Sequence, residues 1–304
     1  MLSRRDIEKE LGKGINIYPV IRDNFKENSI NLTASQNAWT MGNCTVYHNG
    51  EDNFSLEETK QKKKARTLTK GDSCIFEEKE NGKKHTKYIV LLPHSTTLIE
   101  TTEVIGVGSY IGGALHSKVG LVSKGIGHIG TMLGPGYCGH LLVALHNITD
   151  EVMAIKVGST FVSLAFDYLT TQVIRTSSTI SGHLDKFPEL GIRIDEGTRS
   201  FLTEDWKCNI ESIREKMQES LAYKEYRKHI RNSTWKECKK YINKRNVVAV
   251  LACIMAFYLL HFLAVRVDAQ LATPKWVDRF WNIGCSGLLG TILIAMFNFL
   301  KDRK

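Results

Sequence analysis

The chain has 304 residues, 42% of them hydrophobic and 24% charged, enough for one sizeable domain with an appendage and too apolar for a disordered chain. Its formal charge of +9 is concentrated rather than spread, because residues 227–245 carry eight Lys or Arg against one acid, Glu237. Seven cysteines at 44, 74, 138, 208, 238, 253 and 285 are odd in number and lack C-x-x-C spacing, which excludes a disulfide scaffold or zinc ribbon and fits reduced thiols.

Along the chain, the polar start predicts a short helix over 5–12, ending at Gly12, and has no export signal. Residues 51–66, with the run Lys60-Gln61-Lys62-Lys63-Lys64, read as an exposed loop. Short runs rich in β-branched and aromatic residues predict strands over 88–92, 101–107, 141–145 and 160–166. The expected class is therefore mainly β over 1–195. At Thr203 the period changes: Trp206, Ile210, Ile213, Met217 and Leu221 form a helical stripe, with Thr203 as its N-cap and Glu204 and Asp205 in its first turn. Such a stripe either packs on its own domain or serves as a short coiled-coil stalk. Residues 196–245 are read as an amphipathic, basic helical linker.

Residues 246–304 read as a hairpin of two transmembrane helices. The runs 247–265 and 283–300 have 19 and 18 residues without a formal charge, each long enough to cross a hydrocarbon core of about 30 Å. Lys239, Lys240, Lys244 and Arg245 precede the first run, and Lys301, Arg303 and Lys304 follow the second. This bias places both termini in the cytoplasm and the Trp-rich connector (Trp276, Phe280, Trp281) outside. Basic residues beside a span also attract anionic lipid headgroups. The small residues Ser286, Gly287, Gly290 and Thr291 would let helices approach closely.

Three sequence segments carry a more specific pattern. The first runs from Ile30-Asn31-Leu32-Thr33-Ala34-Ser35 to Gly42, the second is Gly112-Gly113-Ala114-Leu115-His116-Ser117-Lys118, and the third is Gly134-Pro135-Gly136-Tyr137-Cys138-Gly139, continuing to Asn147. With the opening Leu2-Ser3-Arg4-Arg5-Asp6-Ile7 and the late run 154–166, they resemble, in order and spacing, the dUTPase and dCTP deaminase superfamily. The resemblance implies a dUTPase-like β-barrel or jelly roll that binds a deoxynucleotide, and a symmetric homo-oligomer, a trimer by resemblance with a tetramer as the alternative.

It also implies where chemistry has been lost. The aspartate that dUTPases carry before the Pro-Gly pair is Gly134. The glutamate that deaminases carry nine residues past the proline is Ala144. The Arg-Ser-Ser run of the second motif is absent, and Asn37 or Ala38 stands near the acid of the first. Glycine and alanine cannot act as general bases, so the expectation is a binding domain without a catalytic residue; His140 and His146 are the remaining candidates for a substitute base. Ser117 and Lys118 are candidate phosphate contacts. Tyr137 stands where dUTPases place a tyrosine against deoxyribose, or is a packed aromatic. Asn147 matches a family position. Lys124 and His128 belong to the Gly125–Gly130 segment, which resembles the hairpin that reads the base. Nothing calls for a metal or organic cofactor.

The architecture is similar to that of membrane effectors of bacterial antiviral signalling. The expected function is a sensor of a deoxynucleotide or short oligodeoxynucleotide that gates a pore or disrupts the inner membrane, the ligand being supplied by a partner nucleotidyltransferase. The alternatives are a membrane-tethered dUTPase or dCTP deaminase that depletes nucleotides, and an inert scaffold whose barrel binds a protein.

Overall fold

The computed structural model describes residues 1–48, 53–57, 64–78, 86–174 and 181–241, with the isolated positions 255 and 262. In chain order the elements are α1 (Arg4–Glu10), β1 (Ile15–Tyr18), β2 (Ile30–Thr40), β3 (Cys44–His48), β4 (Phe54–Ser55), β5 (Lys64–Leu68), β6 (Ile75–Glu78), β7 (Thr86–Leu91), β8 (Ser95–Val107) and β9 (Ile111–Ser117). They continue with α2 (Val119–Val122), β10 (Ile126–Gly127), β11 (Met132–Leu133), β12 (Cys138–Asn147), β13 (Met153–Lys156) and β14 (Thr160–Tyr168). The helices α3 (Phe187–Leu190), α4 (Glu196–Leu202), α5 (Ile210–Glu219) and α6 (Leu221–Tyr241) complete the described chain.

The main sheet has eight antiparallel strands. Seven run in the order β10-β12-β8-β2-β14-β9-β11, and β1 pairs with β8 off this path. Its two end strands, β10 and β11, are separated in sequence only by residues 128–131. A link that short spans at most roughly 18 Å, so the sheet must curl until its ends meet. The inward face holds the principal core, including Ile17, Ile30, Leu32, Ile99, Val143, Leu145, Phe161 and Phe166, each no more than 2% exposed. Two three-stranded sheets, β13-β7-β6 and β4-β3-β5, accompany it.

The mainly β class and the four expected strands are present. At the start, α1 is fixed by a capping box in which Ser3 and Asp6 exchange hydrogen bonds. The 51–66 segment differs from a plain loop, since β4 and β5 occupy its described parts and both pair with β3; 58–63 lie outside the described residues.

The helical reading needs two corrections. Thr203 does not open a helix: it ends α4, its amide bonding the Arg199 carbonyl. A 3-10 turn follows over Asp205–Cys208, and the next α-helix is capped by Asn209, whose side chain accepts from the Glu211 and Ser212 amides. Ser220, extended at ψ 139°, then separates α5 from α6, leaving Leu221 77% exposed. Across the break between the 3-10 turn and α5, Trp206, Ile210, Ile213 and Met217 still pack into the domain's apolar clusters, whereas Leu221 does not. Residues Met1–Ile230 form one compact unit and Arg231–Lys304 a second. Among the described residues no helix is long and apolar enough to cross a membrane. The expected spans at 247–265 and 283–300 fall outside the described residues, apart from Met255 and Phe262.

What 183–217 cover is the outward face of the curl. Trp39, Leu98, Leu142 and Ala144 meet Leu184, Phe187, Ile192 and Leu202 in one cluster, with the Trp39 and Phe187 rings edge to face at 4.8 Å. Val104 and Cys138 meet Trp206, Ile210 and Ile213 in another. A polar seam accompanies these two clusters. Glu100 is fully buried on β8 and accepts from the Asn37 side chain at 3.4 Å. A bulge in β2 between Ala34 and Ala38 re-aims Asn37 toward it. Lys207 bonds the Phe201 carbonyl, lies 3.2 Å from the centre of the Phe201 ring and 3.6 Å from Glu204. His140, 3% exposed, pairs through Nδ1 with the Thr101 carbonyl and packs against Phe201.

Burial pushes the Glu100 carboxyl up to about 8, against smaller opposing effects of Asn37 and Lys207. Burial also pushes His140 down to about 4, so both are largely uncharged at neutral pH. For Glu100 the linkage has a definite sign. Its folded pKa lies above that of the unfolded chain, so its burial costs little below pH 4.5 and progressively more up to pH 8. Glu100→Gln should therefore stabilise the domain by on the order of 3 kcal/mol at pH 8 and by little at pH 4.5. Chemical denaturation at the two pH values measures this; equal effects at both would contradict it.

Candidate functional site

The third motif is a tight turn set by its own residue types. The Tyr137 amide bonds the Gly134 carbonyl at 3.2 Å, Pro135 takes the second position and Gly136, at φ 70°, the third. Proline fixes the first central residue and glycine alone accepts the positive φ without strain, as a type II turn demands. Behind the turn, Cys138 starts β12, pairing with Gly106 of β8.

Gly134, where the resemblance places the dUTPase acid, is exposed, and a Cβ built there would meet no atom within 4 Å. A side chain would fit there, so packing does not require glycine. Ala144 has a different setting. It lies opposite Leu98 and packs into the apolar cluster beneath the helical cover. Glu100, opposite Leu142, is its diagonal neighbour on the same face, a relation that places Cβ atoms roughly 7–8 Å apart.

A cavity of about 130 Å³ opens beside the turn, lined by Leu115, Thr131, Met132, Gly134, Pro135, Tyr137, Leu141, Leu142 and His183. Tyr137 is the one expected ligand residue in its wall. Its ring is 5% exposed and its hydroxyl donates to the His140 carbonyl, while the His183 ring stands 6.1 Å away. His183 adopts φ 52°, uncommon for a residue with a Cβ. The volume is well below the roughly 300–1,000 Å³ of sites that enclose a small molecule.

Three other expected residues meet at the end of β9. The Ser117 hydroxyl accepts from the His128 amide at 2.9 Å and pairs with His128 Nδ1 at 2.6 Å. Lys118 donates to the Thr160 hydroxyl. Burial holds Lys118 below the usual lysine range, and nearby Lys26 adds to the effect. Burial likewise lowers His128, opposed by its backbone bond with Leu115 and assisted by His116 and His146. Two sets of basic side chains thus lie here, Lys26 beside Lys118, and His116 and His146 beside His128; the sequence reading singled out Lys118 and His128 as ligand contacts.

Lys124 is exposed in the turn before β10. Asn147, opposite Ile126, is saturated. Its Nδ2 donates to the Leu91 and Glu151 carbonyls, and its Oδ1 accepts from the Thr149 amide and hydroxyl. That uses all four of its hydrogen-bonding positions and leaves none for a ligand in this arrangement. Asn147 holds the turn after β12. Of the two histidines considered as substitute bases, His140 is buried in the polar seam, and His146 pairs with the Thr96 hydroxyl at 2.9 Å.

Glu100 and His183 were not singled out from sequence. Glu100 had a signal, an acid inside the β-branched run Thr96-Thr97-Leu98-Ile99-Glu100-Thr101-Thr102. His183 had none, because its place beside Tyr137 depends on a contact between residues 46 apart in sequence.

Comparison with known proteins agrees with the motif order. Residues 1–169 match the family model described as dCTP deaminase-like. A search of curated protein sequences returns no match. Among solved structures, a variant of the Staphylococcus bacteriophage 80alpha dUTPase is 15% identical, covering 34% of this chain and 88% of its own, with a TM-score of 0.26. Native EIAV dUTPase is 18% identical over 33% of this chain and 89% of that one, with the same TM-score of 0.26. A 2'-deoxycytidine 5'-triphosphate deaminase from Agrobacterium tumefaciens is 11% identical over 62% of this chain and 52% of that chain, with a TM-score of 0.33. At such scores these likenesses carry no argument of their own. The family model, by contrast, covers more than half of the 304 residues, and the chain belongs to the dCTP deaminase-like family.

Proposed function

We propose that the chain is a membrane effector of antiviral (phage) defence. Its dUTPase-like domain binds a deoxynucleotide or short oligodeoxynucleotide without turning it over, and binding gates a transmembrane pore or membrane disruption through the C-terminal hairpin. The observation that carries this reading is the state of the two acid positions within a domain that still matches the dCTP deaminase-like family over residues 1–169. Gly134 is bare in an open turn, and Ala144 is built into an apolar cluster. Neither can move a proton. The lysines Lys118 and Lys26 near the Ser117–His128 pair support an anionic ligand, and uncharged His128 is available to bind one by taking up a proton.

The cavity holds too little volume for a whole nucleotide, which supports a site completed by another copy. Homo-oligomerisation, with three copies implied by the family and four as the alternative, fits that need. A ligand shifts the membrane segment only through its differential affinity for two arrangements of the oligomer. The charge bias at the ends of the two apolar runs supports an inner-membrane hairpin with both termini cytoplasmic. A partner nucleotidyltransferase would supply the ligand.

A second reading, the tethered dUTPase or dCTP deaminase, is favoured by one observation: Glu100 supplies a carboxyl diagonal to Ala144. Against it, Glu100 is fully buried beneath the helical cover. Purified full-length protein in detergent separates the two. Mass spectrometry of co-purifying nucleotides with no turnover of dUTP or dCTP sustains the sensor. Turnover that disappears in Glu100→Gln establishes the enzyme.

Lys118→Ala should weaken binding of the co-purifying nucleotide at least tenfold in calorimetry and leave the melting temperature within about 2 °C, since surface changes seldom cost more than about 0.5 kcal/mol; unchanged affinity would move the phosphate site elsewhere. Gly287→Arg, a charge in the second apolar run, should abolish dye release from liposomes while nucleotide binding persists. Full-length protein that never permeabilises liposomes, with or without nucleotide, would discredit the pore.

A further inference from the structure

We propose that Cys138 and Cys208 form a peroxide-responsive disulfide that staples the helical cover to the third motif. Cys138 is the first residue of β12, directly after the Gly134–Tyr137 turn, and is 4% exposed. Cys208 ends the 3-10 turn before the Asn209 cap of α5 and is exposed. The two are 70 positions apart in sequence, yet Cys138 Sγ donates to the Cys208 carbonyl oxygen at 2.9 Å. A carbonyl oxygen lies about 2.4 Å from its own Cα, so the Cys138 sulfur is within about 5.3 Å of the Cys208 Cα. With about 2.8 Å between the Cys138 sulfur and its own Cα, the two Cα atoms are at most about 8 Å apart; disulfides join Cα atoms usually about 4.4–6.8 Å apart, so a shift of the exposed turn by roughly 1–2 Å suffices to close the bond.

The pairing of one exposed and one buried thiol sets the order of events. The Cys208 thiolate attacks hydrogen peroxide: an S–O bond forms, the O–O bond breaks and hydroxide leaves, taking a proton to become water. The Cys138 sulfur then displaces the hydroxyl from the Cys208 sulfur. The S–S bond forms, the S–O bond breaks and a second water leaves. Two thiols are oxidised by two electrons, and one peroxide is reduced to two waters.

The other described cysteines are placed differently. Cys74 is fully buried and its thiol is pushed up to about 12 by burial, while half-buried Cys44 donates to the Thr45 carbonyl. The bond would close a loop across the strand that carries Tyr137's turn and the segment that carries Lys207. It thereby fixes the cover over Glu100 and Ala144 whatever ligand the domain takes.

The test is peptide mapping of full-length protein in detergent, treated with hydrogen peroxide, quenched and alkylated under denaturing conditions. The expected result is a linked peptide containing Cys138 and Cys208, about 2 Da lighter than the sum of the two thiol peptides, and a melting temperature several degrees above that of reduced protein. In Cys208→Ser, an exposed position, both the linked peptide and the rise should vanish. Both thiols remaining alkylatable, Cys208 carried only to sulfinic acid or into another pairing, or a linked protein that melts with the reduced one would each overturn the proposal.

Discussion

The sheet is held in its shape by the closeness of its ends. β10 and β11 are the outermost strands of a seven-strand path, yet only residues 128–131 separate them in sequence. A flat sheet would hold its outer strands roughly 29 Å apart at about 4.8 Å per strand, beyond the reach of that link. The link can be satisfied only by curling, and curling gives the strands an enclosed inner face for Ile99, Val143 and Phe161. It also brings the end of β9 to the start of the 128–131 link, so that Ser117 and His128 clasp one another. The candidate ligand residues therefore stand where the curl joins.

Closing one face leaves the other to be covered. Trp39, Leu98, Leu142 and Val104 point outward, and apolar area of that size drives burial at roughly 25 cal/mol per Å². Residues 183–217 supply the cover, though not with a uniform apolar surface. The seam of Glu100, Asn37, His140 and Lys207 places ionisable groups where only hydrogen-bonded or uncharged forms are tolerable. Such a seam restricts how the cover can sit, because sliding it would take Lys207 away from Glu100 and the Phe201 ring away from His140. The registry is bought with stability, which is why the Glu100 carboxyl opposes folding as pH rises.

The parts of this fold legible in the sequence are those written in local chemistry. The alternation of β7, β8, β12 and β14, the Pro135-Gly136 turn and the short first helix each follow from a few adjacent residue types. The stripe from Trp206 to Leu221 shows where that legibility stops. Its spacing is helical throughout, but Asn209 and Ser220 divide it, and a residue that caps a helix reads the same as one that sits within it until the backbone is known. Asn147 belongs with these cases. Matching a family position said nothing of its saturation by Leu91, Thr149 and Glu151, two of which lie within four residues. The burial of Glu100 and Lys207 depends on elements about a hundred positions apart, and no local pattern encodes it.

The two positions where the resemblance places acids, Gly134 and Ala144, differ in their settings. At Gly134 the structure would accept a side chain, so restoring an acid there is sterically free. At Ala144 the neighbours are Trp39, Leu98 and the cover's Phe187 and Leu202, and a carboxylate would be buried among them at a cost of several kcal/mol unless protonated or paired. The residue at position 144 is thus tied to the helical cover in a way the residue at 134 is not: beneath this cover a carboxylate at 144 would be buried among apolar side chains, whereas one at 134 would stand in the open turn.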